Sequence, residues 1–137
     1  MTLKTFLTAI LLSISANAFP SDLTVSIPNE ITDVSTYWMD GEGTQRLIRY
    51  NSEFSPCFII ESFKNGTFSE PTRRESICNA KIGDTILNLR DNLSGSMWFD
   101  NFSWEDNILN FELFTSVATY TCFLRYPLSN SVVPQCQ

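Results

Sequence analysis

The sequence predicts an all-β protein, either an antiparallel β-sandwich or a small barrel, with two disulfide bonds. Apolar residues recur with a period of two along most of the chain, as in half-buried strands. Turn-forming Gly, Asn and Asp residues separate these runs at short intervals, which is typical of sandwiches and small barrels. Four cysteines behind an apolar N-terminus are typical of a secreted domain stabilised by disulfides.

The first predicted strands form a hairpin. Thr36 to Met39 and Thr44 to Tyr50 flank Asp40 to Gly43, and the Asp-Gly pair supplies the positive φ values that a tight turn requires. Cys57 to Phe63 is predicted as the next strand, and it ends at the turn-forming residues Lys64 to Gly66.

A polar loop and a second hairpin follow. Glu70 to Glu75 is predicted to be a loop, because Pro71 cannot donate a hydrogen bond within a central strand. Ile77 to Ala80 and Thr85 to Arg90 are predicted to pair across the turn Lys81 to Asp84.

A third hairpin is predicted after the turn-rich connection 91–95. Its strands are Met97 to Trp104 and Ile108 to Phe114, joined by Glu105 to Asn107. A helix is the alternative, because Ser103 and Asp106 have the spacing of a capping box. Asn107 and Asn110 are poor helix formers, and the alternation that follows favours a strand.

The chain ends in a predicted strand and a tail. Val117 to Tyr126 alternates over a long run, and Pro127 and Pro134 mark an irregular segment beyond it. Cys136 is expected to tether this tail through a disulfide.

Residues 1–18 have the pattern of a signal peptide. Lys4 provides a positive start, Phe6 to Ile14 a short apolar core, and Ala16-Asn17-Ala18 a cleavage motif. The apolar run is shorter than the roughly 20 residues of a membrane span. We therefore predict secretion and a single mature domain, residues 19–137, which would be extracellular, or periplasmic in a bacterium.

The cysteines are predicted to form two disulfides rather than a metal site. The chain has no Cys-x-x-Cys pair and no histidine, so a zinc site lacks its usual ligands. Four cysteines allow three connectivities. Short loops favour Cys57–Cys78 and Cys122–Cys136.

The acidic net charge and the absence of histidine exclude several classes of function. The chain has a net charge of −6, which becomes −7 when Lys4 is removed with the signal peptide. This charge disfavours nucleic acids and anionic membranes. Without histidine there is no Ser-His-Asp triad and no histidine acid–base catalysis.

Carboxylates are the remaining candidates for chemistry, of the paired kind that glycosidases use. Carboxylates in strands and turns more often keep an edge soluble, so we predict a non-enzymatic protein with no cofactor and no metal. The candidate pair would come from Asp100, Glu105, Asp106 and Glu112.

The strongest candidate for a binding surface lies in residues 91–112. This stretch holds five carboxylates and five aromatic residues but no Lys or Arg. An exposed Trp beside carboxylates suits a basic protein partner or a sugar ring. The candidate partner-binding residues are Trp98, Asp100, Phe102, Trp104, Glu105 and Asp106.

Strict alternation predicts how these side chains divide between two faces. One set is expected in the core and the other exposed or covered by a second sheet; if both are buried, the stretch is scaffold. The predicted sets are Trp98, Asp100, Phe102 and Trp104 on one face, and Met97, Phe99, Asn101 and Ser103 on the other.

Three triplets match the N-glycosylation sequon of secreted eukaryotic proteins. Their asparagines are Asn65, Asn92 and Asn101.

The overall plan resembles that of small secreted effectors of plant-pathogenic fungi: a signal peptide of the FLTAILLS…ANA type, a small acidic β-rich domain and two predicted disulfides. The resemblance implies a non-enzymatic protein that acts on, or is recognised by, a host protein. Bacterial periplasmic inhibitors and immunity proteins have a similar plan, and Ser94-Gly95-Ser96 is similar to a segment of lysozyme inhibitors. They provide the alternative, a protein that neutralises a cationic cell-wall hydrolase.

Overall fold

Two β-sheets make up the protein in a computed structural model that describes residues 28–64, 69–91 and 96–137. The sheets pack against each other without closing into a barrel, so the predicted sandwich is confirmed. The predicted signal peptide, residues 1–18, lies outside the described residues. No helix in the described part of the chain is long and apolar enough to cross a membrane.

The four-stranded sheet is antiparallel and follows the order of the chain. The predicted first hairpin is confirmed; Gly41 in its turn and Gly43 at the start of the second strand both have a φ of +78°. Its strands are β1 (Ile31–Met39), β2 (Gly43–Tyr50), β3 (Phe58–Phe63) and β4 (Arg73–Ile77).

Strand β4 corrects the predicted loop at Glu70 to Glu75, which is wrong from Arg73 onward. The charged residues are tolerated because β4 lies at the edge of the described sheet, where β3 is its one neighbour. Arg73 hydrogen-bonds the carbonyl oxygens of Leu128 and Ser129, and Arg74 reaches the buried carboxylate of Glu61 at 3.3 Å.

The second sheet has six strands in the order β6-β5-β10-β9-β8-β7. The predicted third hairpin is confirmed, and the capping-box alternative at Ser103 is excluded because that segment is strand. The second hairpin is also present, but its first strand runs from Asn79 to Ile82, and Ile77 instead ends β4 of the other sheet. The strands are β5 (Asn79–Ile82), β6 (Thr85–Asn88), β7 (Trp98–Glu105), β8 (Ile108–Phe114), β9 (Thr119–Arg125) and β10 (Gln135–Cys136).

The C-terminal tail is irregular as predicted, except for its two-residue strand β10. This strand lies between β5 and β9, parallel to the first and antiparallel to the second. Cys136 pairs directly with Cys122 of β9, to which it is also disulfide-bonded. The tail therefore completes the middle of the larger sheet.

Both favoured disulfides are confirmed. Cys57–Cys78 joins the residue before β3 to the residue between β4 and β5, where the chain passes from one sheet to the other. Cys122–Cys136 joins two neighbouring strands of the second sheet.

Four phenylalanine rings form the centre of the core. Phe58 of the first sheet meets Phe99, Phe102 and Phe111 of the second, with ring centroids 4.9–5.2 Å apart. Edge-to-face contacts of this kind are favoured by the charge distribution of aromatic rings. The two sheets are therefore held together next to strand β7.

Candidate binding face

A β-bulge in β7 decides which of its side chains face the core. Asp100 pairs with Glu112 and Ser103 pairs with Asn110, so two β7 residues lie opposite one residue of β8. Asn101 occupies the bulge with a φ of +54°, a conformation that Asn tolerates better than most residues. The bulge shifts the alternation by one residue.

The predicted division of β7 into two faces is therefore wrong. Phe102 and Trp104 do lie together, but they join Phe99 on the core side, while Trp98 and Asp100 lie on the outer side. Met97, just before the strand, also packs against the core. Strict alternation of side chains between two faces does not predict this arrangement. The extra residue in the bulge moves each side chain that follows it to the opposite face of the sheet.

The outer side of β7 and β8, with the turn that joins them, forms a surface that we call the acidic face. Trp98 lies opposite Phe114, Asp100 opposite Glu112, and Glu105 near the turn. Asp106 is in the turn itself, exposed and with a φ of +50°. The acidic face consists of Trp98, Asp100, Glu105, Asp106, Glu112 and Phe114.

Most charge on this face is unpaired. Asp100 forms an ion pair at 2.9 Å with Arg49. Glu112 accepts a hydrogen bond from the Asn101 amide. Within residues 28–64, 69–91 and 96–137, no ion pair involves Glu105, Asp106 or Glu112. Asp100 and Glu112 are like charges directly opposite each other, which disfavours strand pairing, and Arg49 offsets this repulsion at Asp100.

The aromatic part of the acidic face is a stacked pair. The rings of Trp98 and Phe114 are 5.4 Å apart and tilted by 8°, and both side chains are half-buried. Trp98 is a sequence-predicted site residue, but Phe114 was missed. Without the bulge, Thr115 would lie opposite Trp98, so the Trp98–Phe114 stack cannot be predicted without knowing that the bulge is present.

Arg49 anchors the acidic face to the other sheet. It pairs with Asp33 of β1 at 3.2 Å and with Asp100 of β7 at 2.9 Å. Its guanidinium also lies over the Phe102 ring, 5.5 Å from the centroid. The edge of the acidic face is thus fixed relative to the first sheet.

The predicted site residues fall into two groups. Trp98, Asp100, Glu105 and Asp106 lie on the acidic face. Phe102 and Trp104 lie beneath it, half-buried and packed against the core.

The carboxylates considered for chemistry are not gathered around one catalytic point. Asp100 and Glu112 are cross-strand neighbours, while Glu105 lies near the far end of the strand and Asp106 in the turn. Among the described residues, no group of three or more His, Cys, Asp or Glu side chains could hold a metal ion.

One of the three sequons can be placed. Asn101 is exposed at the bulge, and its amide donates a hydrogen bond to Glu112. Asn65 and Asn92 lie outside the described residues.

A groove of about 500 Å³ borders the acidic face at the β7–β8 turn. Carboxylates, an arginine and aromatic rings face each other across it, so it is chemically mixed. Its lining includes Trp38, Asp40, Asp106, Arg125 and Tyr126.

Two aromatic residues beside this groove bury polar atoms. The Trp104 ring stacks on Tyr37 at 5.2 Å and lies 5.8 Å from the Tyr126 ring. The Trp104 indole N–H and the Tyr126 hydroxyl are buried without a hydrogen-bond partner among the described residues. Burial, with a smaller contribution from Glu42, raises the pKa of Tyr126 well above the ordinary tyrosine value, against the opposing effect of Arg73.

The substitution Tyr126→Phe is expected to leave the free energy of unfolding at neutral pH unchanged, or to raise it by up to about 1 kcal/mol, because an unpartnered buried hydroxyl is lost. The pKa of Tyr126 is higher in the folded protein than in the unfolded chain. Its ionisation therefore does not affect the free energy of unfolding below about pH 10, and it lowers that free energy as the pH rises further. Urea unfolding at neutral and alkaline pH should show that the free energy of unfolding falls less at alkaline pH in this variant than in the natural chain.

Tyr120→Phe is the matched control, because Tyr120 is half-buried and does not line the groove. A loss of more than about 1 kcal/mol in Tyr126→Phe at neutral pH would show that its hydroxyl has a hydrogen-bond partner.

The chain has no match among protein-family models, curated proteins or solved structures.

Proposed function

We propose that this is a secreted, non-enzymatic interaction protein, an effector that binds a basic host protein through the acidic face. The observation that carries the proposal is a set of three carboxylates that form no ion pair in the described part of the chain, Glu105, Asp106 and Glu112. They lie on the same face as the stacked Trp98 and Phe114, and Glu112 is next to the stack. Aromatic anchors flanked by charge are typical of protein interfaces. A basic partner would relieve the repulsion on this face.

Secretion is supported by the signal-peptide pattern of residues 1–18 and by the two disulfides. Disulfides persist in oxidising compartments and are rare in the cytosol. A small acidic domain of this build fits the plan of fungal effectors, and the mature chain would be extracellular.

The test is a pull-down from host extract with the oxidised protein, followed by measurement of the dissociation constant for the identified partner. We expect Trp98→Ala to weaken binding at least about tenfold. Glu105→Lys and Glu112→Lys should slow association and flatten its salt dependence. Asp84→Lys is the control, because Asp84 is exposed in the β5–β6 turn, away from the acidic face.

Two outcomes would contradict the proposal. One is the absence of any partner above background, and the other is a partner whose affinity is unchanged by all three acidic-face substitutions. Inhibition of a cationic cell-wall hydrolase, lost in the same variants, would instead favour the periplasmic inhibitor with the same binding face.

A further inference from the structure

The four sheet edges of the described structure differ in how well they are protected from pairing with another chain. Strand β4 is short and carries Arg73, Arg74 and Glu75, and β6 has only four residues. Strand β7 is bulged and acidic. Short, charged or bulged edges resist further pairing.

Strand β1 has none of these protections over most of its length. It has nine residues, pairs with β2 alone among the described strands, and contains no charged residue from Val34 to Met39. Its one register shift lies at the start of the strand, before Asp33. A long, uncharged edge strand is a template for another strand.

The exposed side chains of β1 strengthen this point. Val34 is 47% exposed and Trp38 is 61% exposed, and both lie on the outer side of the first sheet. Thr36 lies between them on the same side and is also exposed. Large exposed apolar residues aligned on one edge mark an interaction surface.

We propose that a second copy of this chain pairs with β1 in antiparallel fashion, about a two-fold axis at Thr36. Val34 then lies opposite Trp38 of the second copy, Trp38 lies opposite its Val34, and the two Thr36 residues face each other. Cross-strand pairs of an aromatic and a β-branched residue stabilise antiparallel sheets. A two-fold interface requires this kind of self-complementarity.

Neighbouring registers lack this match. Moving the axis to Ser35 places Trp38 opposite Thr32 of the second copy, and moving it to Tyr37 places Val34 opposite the acidic Asp40. Only the axis at Thr36 sets each exposed apolar side chain against another.

Charge also permits this pairing in a protein with a net charge of −6. In the register centred on Thr36, Asp33 lies opposite Met39 of the second copy and Asp40 lies opposite its Thr32. Asp33 is further neutralised by Arg49 at 3.2 Å. Within β1 and at Asp40, no carboxylate therefore lies opposite another across the axis, and like charges directly opposite are avoided along the paired strands.

The dimer joins two four-stranded sheets into one sheet of eight strands and uses both β1 edges, so the assembly closes. The acidic faces belong to the other sheet of each copy, and the two surfaces adjoin only at the groove that Trp38 and Asp106 both line. The dimer does not depend on the proposed function.

Sedimentation velocity of the oxidised protein over a range of concentrations tests the proposal. We expect a reversible dimer whose dissociation constant rises at least about tenfold in Val34→Lys and in Trp38→Lys. Ile86→Lys is the matched control, because Ile86 is 58% exposed on the edge strand β6, and its dissociation constant should not change. Near-UV circular dichroism checks that each variant is folded.

Thr36→Cys tests the register. Residues directly opposite each other in antiparallel strands have Cα atoms about 4.5–5.5 Å apart, which is within disulfide range. This variant should form a covalent dimer on oxidation, whereas Thr32→Cys should not, since Thr32 lies opposite Asp40 in this register.

The proposal is overturned if the protein is monomeric at every concentration, or if Val34→Lys and Trp38→Lys dimerise as well as the natural chain. A monomer whose Val34→Lys variant loses a partner protein would assign the β1 edge to that partner and also overturn the dimer. Loss of the dimer with partner binding retained would separate this test from that of the acidic face.

Discussion

The double variant Cys122→Ala/Cys136→Ala is expected to lose about 2–5 kcal/mol of unfolding free energy. The bond closes a loop with a sequence separation of 14, which restricts the unfolded chain, and it fixes β10 in the middle of the larger sheet. Urea unfolding followed by tryptophan fluorescence measures the loss.

Hydrogen exchange gives this prediction a local readout. The Lys81 amide donates to the carbonyl oxygen of Pro134 at 2.8 Å, just before β10. Its exchange should accelerate more in this variant than that of the Ile60 amide, which belongs to β3 of the other sheet.

Cys57→Ala/Cys78→Ala is the matched control, with a sequence separation of 21. It should also lose stability, but without selective opening at Lys81. A loss below about 1 kcal/mol in the first double variant would contradict the structural role assigned to Cys122–Cys136.

The substitution Phe111→Ala is expected to cost about 3–5 kcal/mol of unfolding free energy. Phe111 is 1% exposed, and its ring lies 5.2 Å from Phe58 and 5.3 Å from Phe99. Truncation removes these contacts and leaves a cavity between the two sheets, which the core cannot fill without moving both. Chemical denaturation of the oxidised protein measures the change.

Phe54→Ala is the control for this substitution. Phe54 is 66% exposed between β2 and β3, so its truncation should change stability by no more than about 0.5 kcal/mol. Similar losses in both variants would show that the ring cluster does not hold the sheets together.

The parts of the fold that could be predicted are those set by local chemistry. The first turn could be predicted because glycine tolerates positive φ, which Gly41 and Gly43 adopt there. The confirmed disulfides are the pairs with the shortest loops. Strand β4 was missed because its polar sequence is acceptable only at an edge, and edge position depends on the whole sheet.

The candidate site was predictable in composition but not in orientation. The cluster of carboxylates and rings is visible in the sequence, whereas the assignment of Phe102 to the core depends on one extra residue at Asn101. An asparagine within a strand permits a bulge without requiring one. Trp38 is likewise a residue type expected in a core, and its exposure follows from its place on the outer side of the edge strand β1.

The position of β10 has a consequence for the rate at which the protein folds. Lys81 of β5 pairs with Gln135, 54 positions later, so the β5–β6 hairpin can join its sheet only after a long loop closes. The hairpins β1–β2 and β7–β8 close through short turns and can form early. Since loop-closure entropy must be overcome before distant contacts stabilise the chain, the docking of two residues at β10 is expected to limit the folding rate of the larger sheet.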